Sequence, residues 1–213
     1  NALASATTQS YNVAIGRYAQ ISATGSANVG VGYGTLSSSS GVNNSALGDY
    51  ALNANTTGAS NVGVGKGALQ TNTTGQQNTA SGFESLKANT TGQNNISTGF
   101  QSLLSNTTGN DNCAVGVQAL RDNTTAGNNT GIGAFALRVN TTGANNVSVG
   151  ANALQSNTVG EQNTALGSAA LAANTTAVGN TAVGYASLNT NTTGAANTGT
   201  GFYSLLSNTT GAN

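Results

Sequence analysis

An asparagine returns at a fixed step along nearly the whole chain. It stands at Asn12, Asn28 and Asn44, sixteen residues apart, and from Asn44 it recurs every seventeen residues to Asn197. Four residues after each of these twelve stands a glycine, from Gly16 to Gly201. Eight residues after eleven of them stands a leucine, from Leu36 to Leu205, and Gln20 alone breaks that column. A period this short leaves few folds. One such unit cannot enclose its own apolar side chains, so the units must stack as coils of a solenoid, each covering the next.

From Asn44 onward the unit reads N-[VT]-[AG]-[VT]-G-x-x-[AS]-L-x-x-N-T-T-G-x-x, with its places counted 1 to 17 from the opening asparagine. Places 2 and 4 carry pairs such as Val13/Ile15, Val62/Val64 and Val147/Val149, while place 3 is always Ala, Gly or Ser. Alternation of period two predicts a short strand with the larger side chains on one face and the small one on the other. The small face is expected to meet something that approaches closely. The glycine at place 5 suits a corner with positive φ.

The half-unit around the leucine is expected to form a second short strand, with aromatics such as Tyr18, Tyr33, Tyr50, Phe83, Phe100, Phe135, Tyr185, Phe202 and Tyr203 at its start. NTTG then turns the chain back. Two units carry Ala126 and Ala177 in place of that glycine, which predicts bends displaced to Gly127 and Gly179. The units opening at Asn12 and Asn28 are one residue short and lack NTTG, so they need a tighter closing turn. No Asn-Gly or Asp-Gly hairpin signal occurs, which favours parallel coil-on-coil stacking. The fold class expected is all-β, a parallel β-solenoid of about twelve coils. It would run as a rod on the order of 55 Å long, at ~4.8 Å per strand step.

Residues 1–11 lie outside the frame and read as a lead-in segment. Residues 12–213 are the solenoid, whose last residues stop within a unit, as expected of a piece of a longer chain. Each coil contributes little more than a Leu, one or two Val and an Ala. That burial falls short of the cost of ordering seventeen backbones. A partner surface is the natural remainder, and a homotrimer is expected, with the small residues drawn in near a shared axis.

Composition narrows the function. Five basic and five acidic residues give zero formal net charge, so nothing offers the basic footprint that nucleic acid requires. No stretch is long and apolar enough to span a bilayer. There is no His for acid–base work. The carboxylates Asp49, Glu84, Asp111, Asp122 and Glu161 fall in five different units, so no paired site and no enzyme activity are expected. NTTG turns carry no acidic residue for calcium, and G-x-G strings such as Gly30-Val31-Gly32 precede no helix that would cradle a phosphate. No catalytic, cofactor or metal residue is therefore expected.

The remaining signals have plain structural readings. Cys113 takes the place held by Val62, Ile96 or Val147 elsewhere and reads as a small buried residue. The NTT triplets, as at Asn55, Asn72 and Asn89, match a glycosylation acceptor pattern. Their recurrence favours side-chain ladders of Asn and Thr instead. The aromatics could stack on sugars but are expected to pack between subunits. Arg17, Lys66, Lys87, Arg121 and Arg138 read as solvated points.

The units NVAIGRYA, NVGVGYGTL and NTAVGYASL resemble the repeats of trimeric autotransporter adhesin heads, and NTAVGYASLNTNTTG from Asn180 resembles the repeats of bacteriophage tail fibres. The resemblance covers residues 12–213. It implies a trimeric parallel β-roll, left-handed in the adhesin heads, and an extracellular place on a virion or bacterial surface. It also implies a shaft or head that presents many copies of an attachment site to a cell-surface receptor, of which a glycan is one class. The rival reading from another class is a monomeric ice-binding solenoid built on Asn/Thr ladders.

Overall fold

The computed structural model describes residues 11–20 and 24–212. The lead-in segment lies outside the described residues except for Tyr11, which is exposed. Every regular element among the described residues is a strand of three residues. In order they are β1 (Val13–Ile15), β2 (Val29–Val31), β3 (Ser45–Leu47), β4 (Val62–Val64), β5 (Thr79–Ser81), β6 (Ile96–Thr98), β7 (Cys113–Val115), β8 (Thr130–Ile132), β9 (Val147–Val149), β10 (Thr164–Leu166), β11 (Thr181–Val183) and β12 (Thr198–Thr200). They form one parallel sheet in chain order. Each place pairs with the same place of the next coil, as Val62 with Thr79 and Gly63 with Ala80. The chain is a β-solenoid.

Which side of the strand faces inward corrects the expectation about the small residues. Ala46, Ala80, Ala114, Ala165 and Ala182, at place 3, are buried inside the coil, while Val62, Val64, Ile96 and Ile132 at places 2 and 4 are exposed. A Cβ added to Gly63 would lie 3.3 Å from the Ala68 carbonyl oxygen and 3.5 Å from Cγ of Leu52. The close neighbours are thus the chain's own backbone and the leucine of the preceding coil, and no shared axis is needed to explain the small side chains. Seventeen residues enclose so thin a section that one leucine fills it. Leu52, Leu69, Leu86, Leu103, Leu120, Leu137, Leu154, Leu171 and Leu188 all have no exposure.

The leucine half does not form the expected second strand. Its residues at places 7 and 9 have left-handed φ, 58° at Tyr50 and 51° at Leu52, which breaks the pleat twice. The backbone bonds instead run between coils, from Leu52 N–H to the Ala68 carbonyl and from Ala54 N–H to that of Gln70, both at 3.0 Å. Left-handed φ costs a leucine about 1–2 kcal/mol. Full burial of its side chain returns about 1.5–3 kcal/mol, so the burial wins. At the place-5 corner both backbone and space demand glycine. Gly133 has φ +128°, and a Cβ there would lie 2.7 Å from the Gly150 carbonyl of the next coil.

Two files of buried asparagine amides run along the interior. At place 1, the Oδ1 of Asn61 accepts the Asn78 backbone N–H at 3.0 Å, and Asn78 Nδ2 donates to the Gly92 carbonyl at 2.8 Å. At place 12, Asn89 Nδ2 donates to Asn72 Oδ1 at 2.8 Å and to the Gly92 carbonyl at 3.0 Å. Thr73 Oγ1 donates to the Thr90 carbonyl at 2.9 Å, and the same bond recurs at Thr90 and Thr107. The NTT motif therefore builds a ladder. Its asparagine is sealed inside, with both amide protons engaged.

The two irregularities of the repeat resolve within this frame. Asn55 Nδ2 donates to Ser39 Oγ, and Ser40 N–H donates to the Thr56 carbonyl. Ser39 and Ser40 thus take the Asn and first Thr places, and the residue missing from the short coil is the second, outer threonine. Ala126 accepts from Asn112 and Asn123 at 2.9 and 3.0 Å in register with glycine elsewhere, so the bend is not displaced to Gly127. Ala177 also keeps the register. Its bond from Asn174 stretches to 3.3 Å, and Asn174 Oδ1 is left buried without a partner.

Candidate functional site

No pocket opens among the described residues, and no group of His, Cys, Asp and Glu there could hold a metal ion. No helix is long and apolar enough to cross a membrane. The candidate sites are surfaces. The largest is the outer side of the sheet, formed by places 2 and 4 of β1 to β12. Its 24 side chains are Val, Ile, Leu, Thr, Ser and one Cys, with no charge, amide or aromatic ring among them. The strand registers carry both rows straight from one rung to the next. Val13, Ile15, Leu47 and Ile96 are each about half exposed.

Cys113 belongs to this surface. It heads β7 and is only half-buried, which corrects its reading as an interior residue. The cause is the same inversion of the strand, since place 2 points out.

Beyond the glycine corner runs a ledge of aromatic rings. Tyr18, Tyr33 and Tyr50 form a cluster with centroids 5.5 and 5.2 Å apart and rings turned 84° and 68° to each other. Phe83 and Phe100 instead stack nearly parallel, at 5.5 Å and 10°. A third group joins Tyr185, Phe202 and Tyr203. Partial loss of hydration, and then the neighbouring Tyr33, push the Tyr50 phenol above its ordinary value, and the neighbouring Tyr185 does the same to Tyr203.

Arg17, Lys87, Arg121 and Arg138 have contacts that solvated points would not, whereas Lys66 is exposed. Lys87 pairs with Glu84 at 2.6 Å, and Arg121 with Asp122 at 2.7 Å. The guanidinium of Arg138 lies over the Phe135 ring. Glu84 also accepts from Gln101, and Lys87 first and Gln101 second hold its carboxyl below the ordinary glutamate value. The turn edge carries the second threonines, Thr57, Thr74, Thr91, Thr108, Thr125 and Thr142, all exposed.

Sequence reasoning missed the outer sheet face as a surface because it placed the larger side chains with the core. The available signal was the thinness of the coil, which has room for the leucine and not for two more branched side chains. Comparison with models of protein families, with curated proteins and with solved structures found no match.

Proposed function

We propose that the chain is the shaft or head of an extracellular attachment fibre, of the bacteriophage tail-fibre or trimeric adhesin kind, assembled from three parallel copies through the outer sheet face. The observation that carries this reading is the charge-free face itself. Two continuous rows of uncharged, mostly β-branched side chains on a solenoid with a one-leucine core form a surface that a copy of itself can cover. Eleven rung steps at ~4.8 Å and a strip about 10 Å wide give on the order of 500 Å² per copy, and a simple pair would bury about 1,000 Å², near the lower bound for a stable interface. A three-fold bundle engages each copy twice and brings in the stacked rings of Phe83 and Phe100 beside the sheet, which favours three over two.

The role so proposed is mechanical. Repeated coils give a stiff spacer, and three copies present weak contacts together, so that avidity supplies attachment to a cell-surface receptor. Sedimentation equilibrium tests the assembly. The expected mass is three times the 20.7 kDa of one chain, and the double substitution Val62→Lys and Val147→Lys should lower it. A concentration-independent single-chain mass for the unaltered protein would overturn the reading.

A second reading draws on the same face. Rows of Val, Ile and Thr repeated in register from rung to rung are spaced to suit a lattice of ordered water. Thermal hysteresis from a single-chain species would select ice binding over the fibre.

A further inference from the structure

The aromatic ledge is not uniform, and its first cluster differs from the rest in chemistry. Tyr18, Tyr33 and Tyr50 stand on three successive coils beside Arg17 and Asp49, all within two rungs. Arg17 Nη2 donates to the Tyr18 hydroxyl at 2.7 Å, and its guanidinium carbon lies 4.6 Å from that ring's centroid. Asp49 Oδ1 accepts the Tyr33 backbone N–H at 3.3 Å. Tyr50 rests over Gly34, where an added Cβ would come within 3.3 Å of its ring, so the missing side chain seats the phenol. Arg17, Tyr33, Asp49 and Tyr50 are exposed.

Two features set this cluster apart from the packing surfaces. Phe83 and Phe100 stack nearly parallel, so one face of each ring is turned toward the other, and among the described residues no cationic side chain lies over either ring. The tyrosines meet edge to face, as Tyr203 does with Tyr185 and Phe202, and among the described clusters only the first adds a guanidinium and a carboxylate to its rings. Covering the cluster with another subunit would also desolvate a guanidinium and a carboxylate that do not pair with each other, which is costly. The ion pairs among the described residues are Lys87–Glu84 and Arg121–Asp122.

We infer that Tyr18, Tyr33 and Tyr50, with Arg17 and Asp49, form a binding site for neutral sugars. The inference rests on the attachment reading and gives it a ligand class. A pyranose presents a C–H face that packs on an aromatic ring and hydroxyls around its rim. The phenols and the guanidinium donate to those hydroxyls, and the carboxylate accepts from them. Arg17 and Asp49 stand two coils apart and give the cluster one charge of each sign, so it has no net charge to draw in a polyanion, which argues for a neutral glycan. A sugar ring covers about one rung of the rod, at ~4.8 Å, so one oligosaccharide can lie across successive tyrosines. Copies of the site on an assembled fibre would add avidity to a weak single contact.

Saturation-transfer NMR tests the site, with lactose, maltotriose and chitotriose as probes. Transfer from the protein to the ring C–H protons of at least one probe is expected. Tyr33→Ala with Tyr50→Ala should weaken binding about tenfold, the loss expected for two ring contacts. Tyr33→Phe with Tyr50→Phe should fall between, and Phe83→Ala should bind as the unaltered protein does. No transfer to any of the three sugars, or equal transfer from the double alanine variant with an unchanged circular dichroism spectrum, would overturn the site. The mass of the same sample separates the two readings. Sugar binding by a single-chain species would sink the three-copy fibre and spare the site, whereas a three-copy species without transfer would sink the site alone.

Discussion

The inner asparagine file allows one substitution to be followed bond by bond. Asn106 is fully buried. Its Nδ2 donates to Asn89 Oδ1 at 2.9 Å and to the Gly109 carbonyl at 3.0 Å, and its Oδ1 accepts from Asn123 Nδ2 at 2.9 Å. In Asn106→Ala the Gly109 carbonyl keeps its bond from Asn95 at 2.9 Å. Asn89 Oδ1 and one Asn123 amide proton are left buried and unpaired. Each orphan costs about 1–3 kcal/mol, so a loss of about 2–6 kcal/mol is expected. The same change at Asn174 should cost about half as much. Its Oδ1 is already unpartnered, so only Asn157 Oδ1 is newly stranded. Thr108→Ala, on the exposed edge of the same turn as Asn106, should stay within about 0.5 kcal/mol of the unaltered protein. Urea unfolding followed by circular dichroism reads the three variants side by side. An Asn106→Ala variant no weaker than Thr108→Ala would refute the ladder as a source of stability.

Four further outcomes follow from single residues. Gly133→Ala should lose about 3 kcal/mol or more in urea unfolding, because its φ and its space both exclude a side chain, while Gly143→Ala should lose less: a Cβ there also crowds the Gly160 carbonyl, but no positive φ is required and Ala126 and Ala177 show that the coil can give way. Leu103→Ala removes the one large apolar side chain buried inside its rung and should cost about 2–5 kcal/mol. Ser85, Ser97 and Ser102 bond to one another inside the coil; replacing only Ser97 by alanine should destabilise, and replacing all three, which restores the alanines of other coils, should recover most of the loss. The lowered pKa of Glu84 means its contribution is fully present above the ordinary glutamate range and is lost as pH falls through the lowered value, so Glu84→Gln should flatten that acid limb of the stability profile.

Much of this rod was legible in the text of the chain, because equal steps in sequence became equal steps in space. The strand at places 2 to 4, the glycine corner, the leucine column and the NTT ladder all follow from short-range geometry that repeats. The side of the strand did not follow. Alternation says that Val62 and Val64 share a face and Gly63 takes the other, yet it is silent on which face is inside; the diameter of the coil decides that. The second strand failed for a similar reason. Leu52 looks like a strand residue until burial is weighed against its left-handed φ. Ala126 suggests a displaced bend only while glycine is taken as obligatory there; the place has no positive φ, and although the glycines pack closely on the next coil, the alanine's carbonyl still meets both amides. Arg121 and Lys87 found acidic partners one and three residues away, contacts that isolated charges in a repeat do not announce.

The claim on which the functional account turns is that the outward sheet face is where copies meet. Cys113, at the head of β7 on that face, is a natural reporter. With a spin label on its thiol, pulsed dipolar spectroscopy of the assembled protein should give short separations, on the order of 10–20 Å, as packed sheet faces require. A sample with no dipolar coupling beyond background, or with labels held much farther apart, would contradict it.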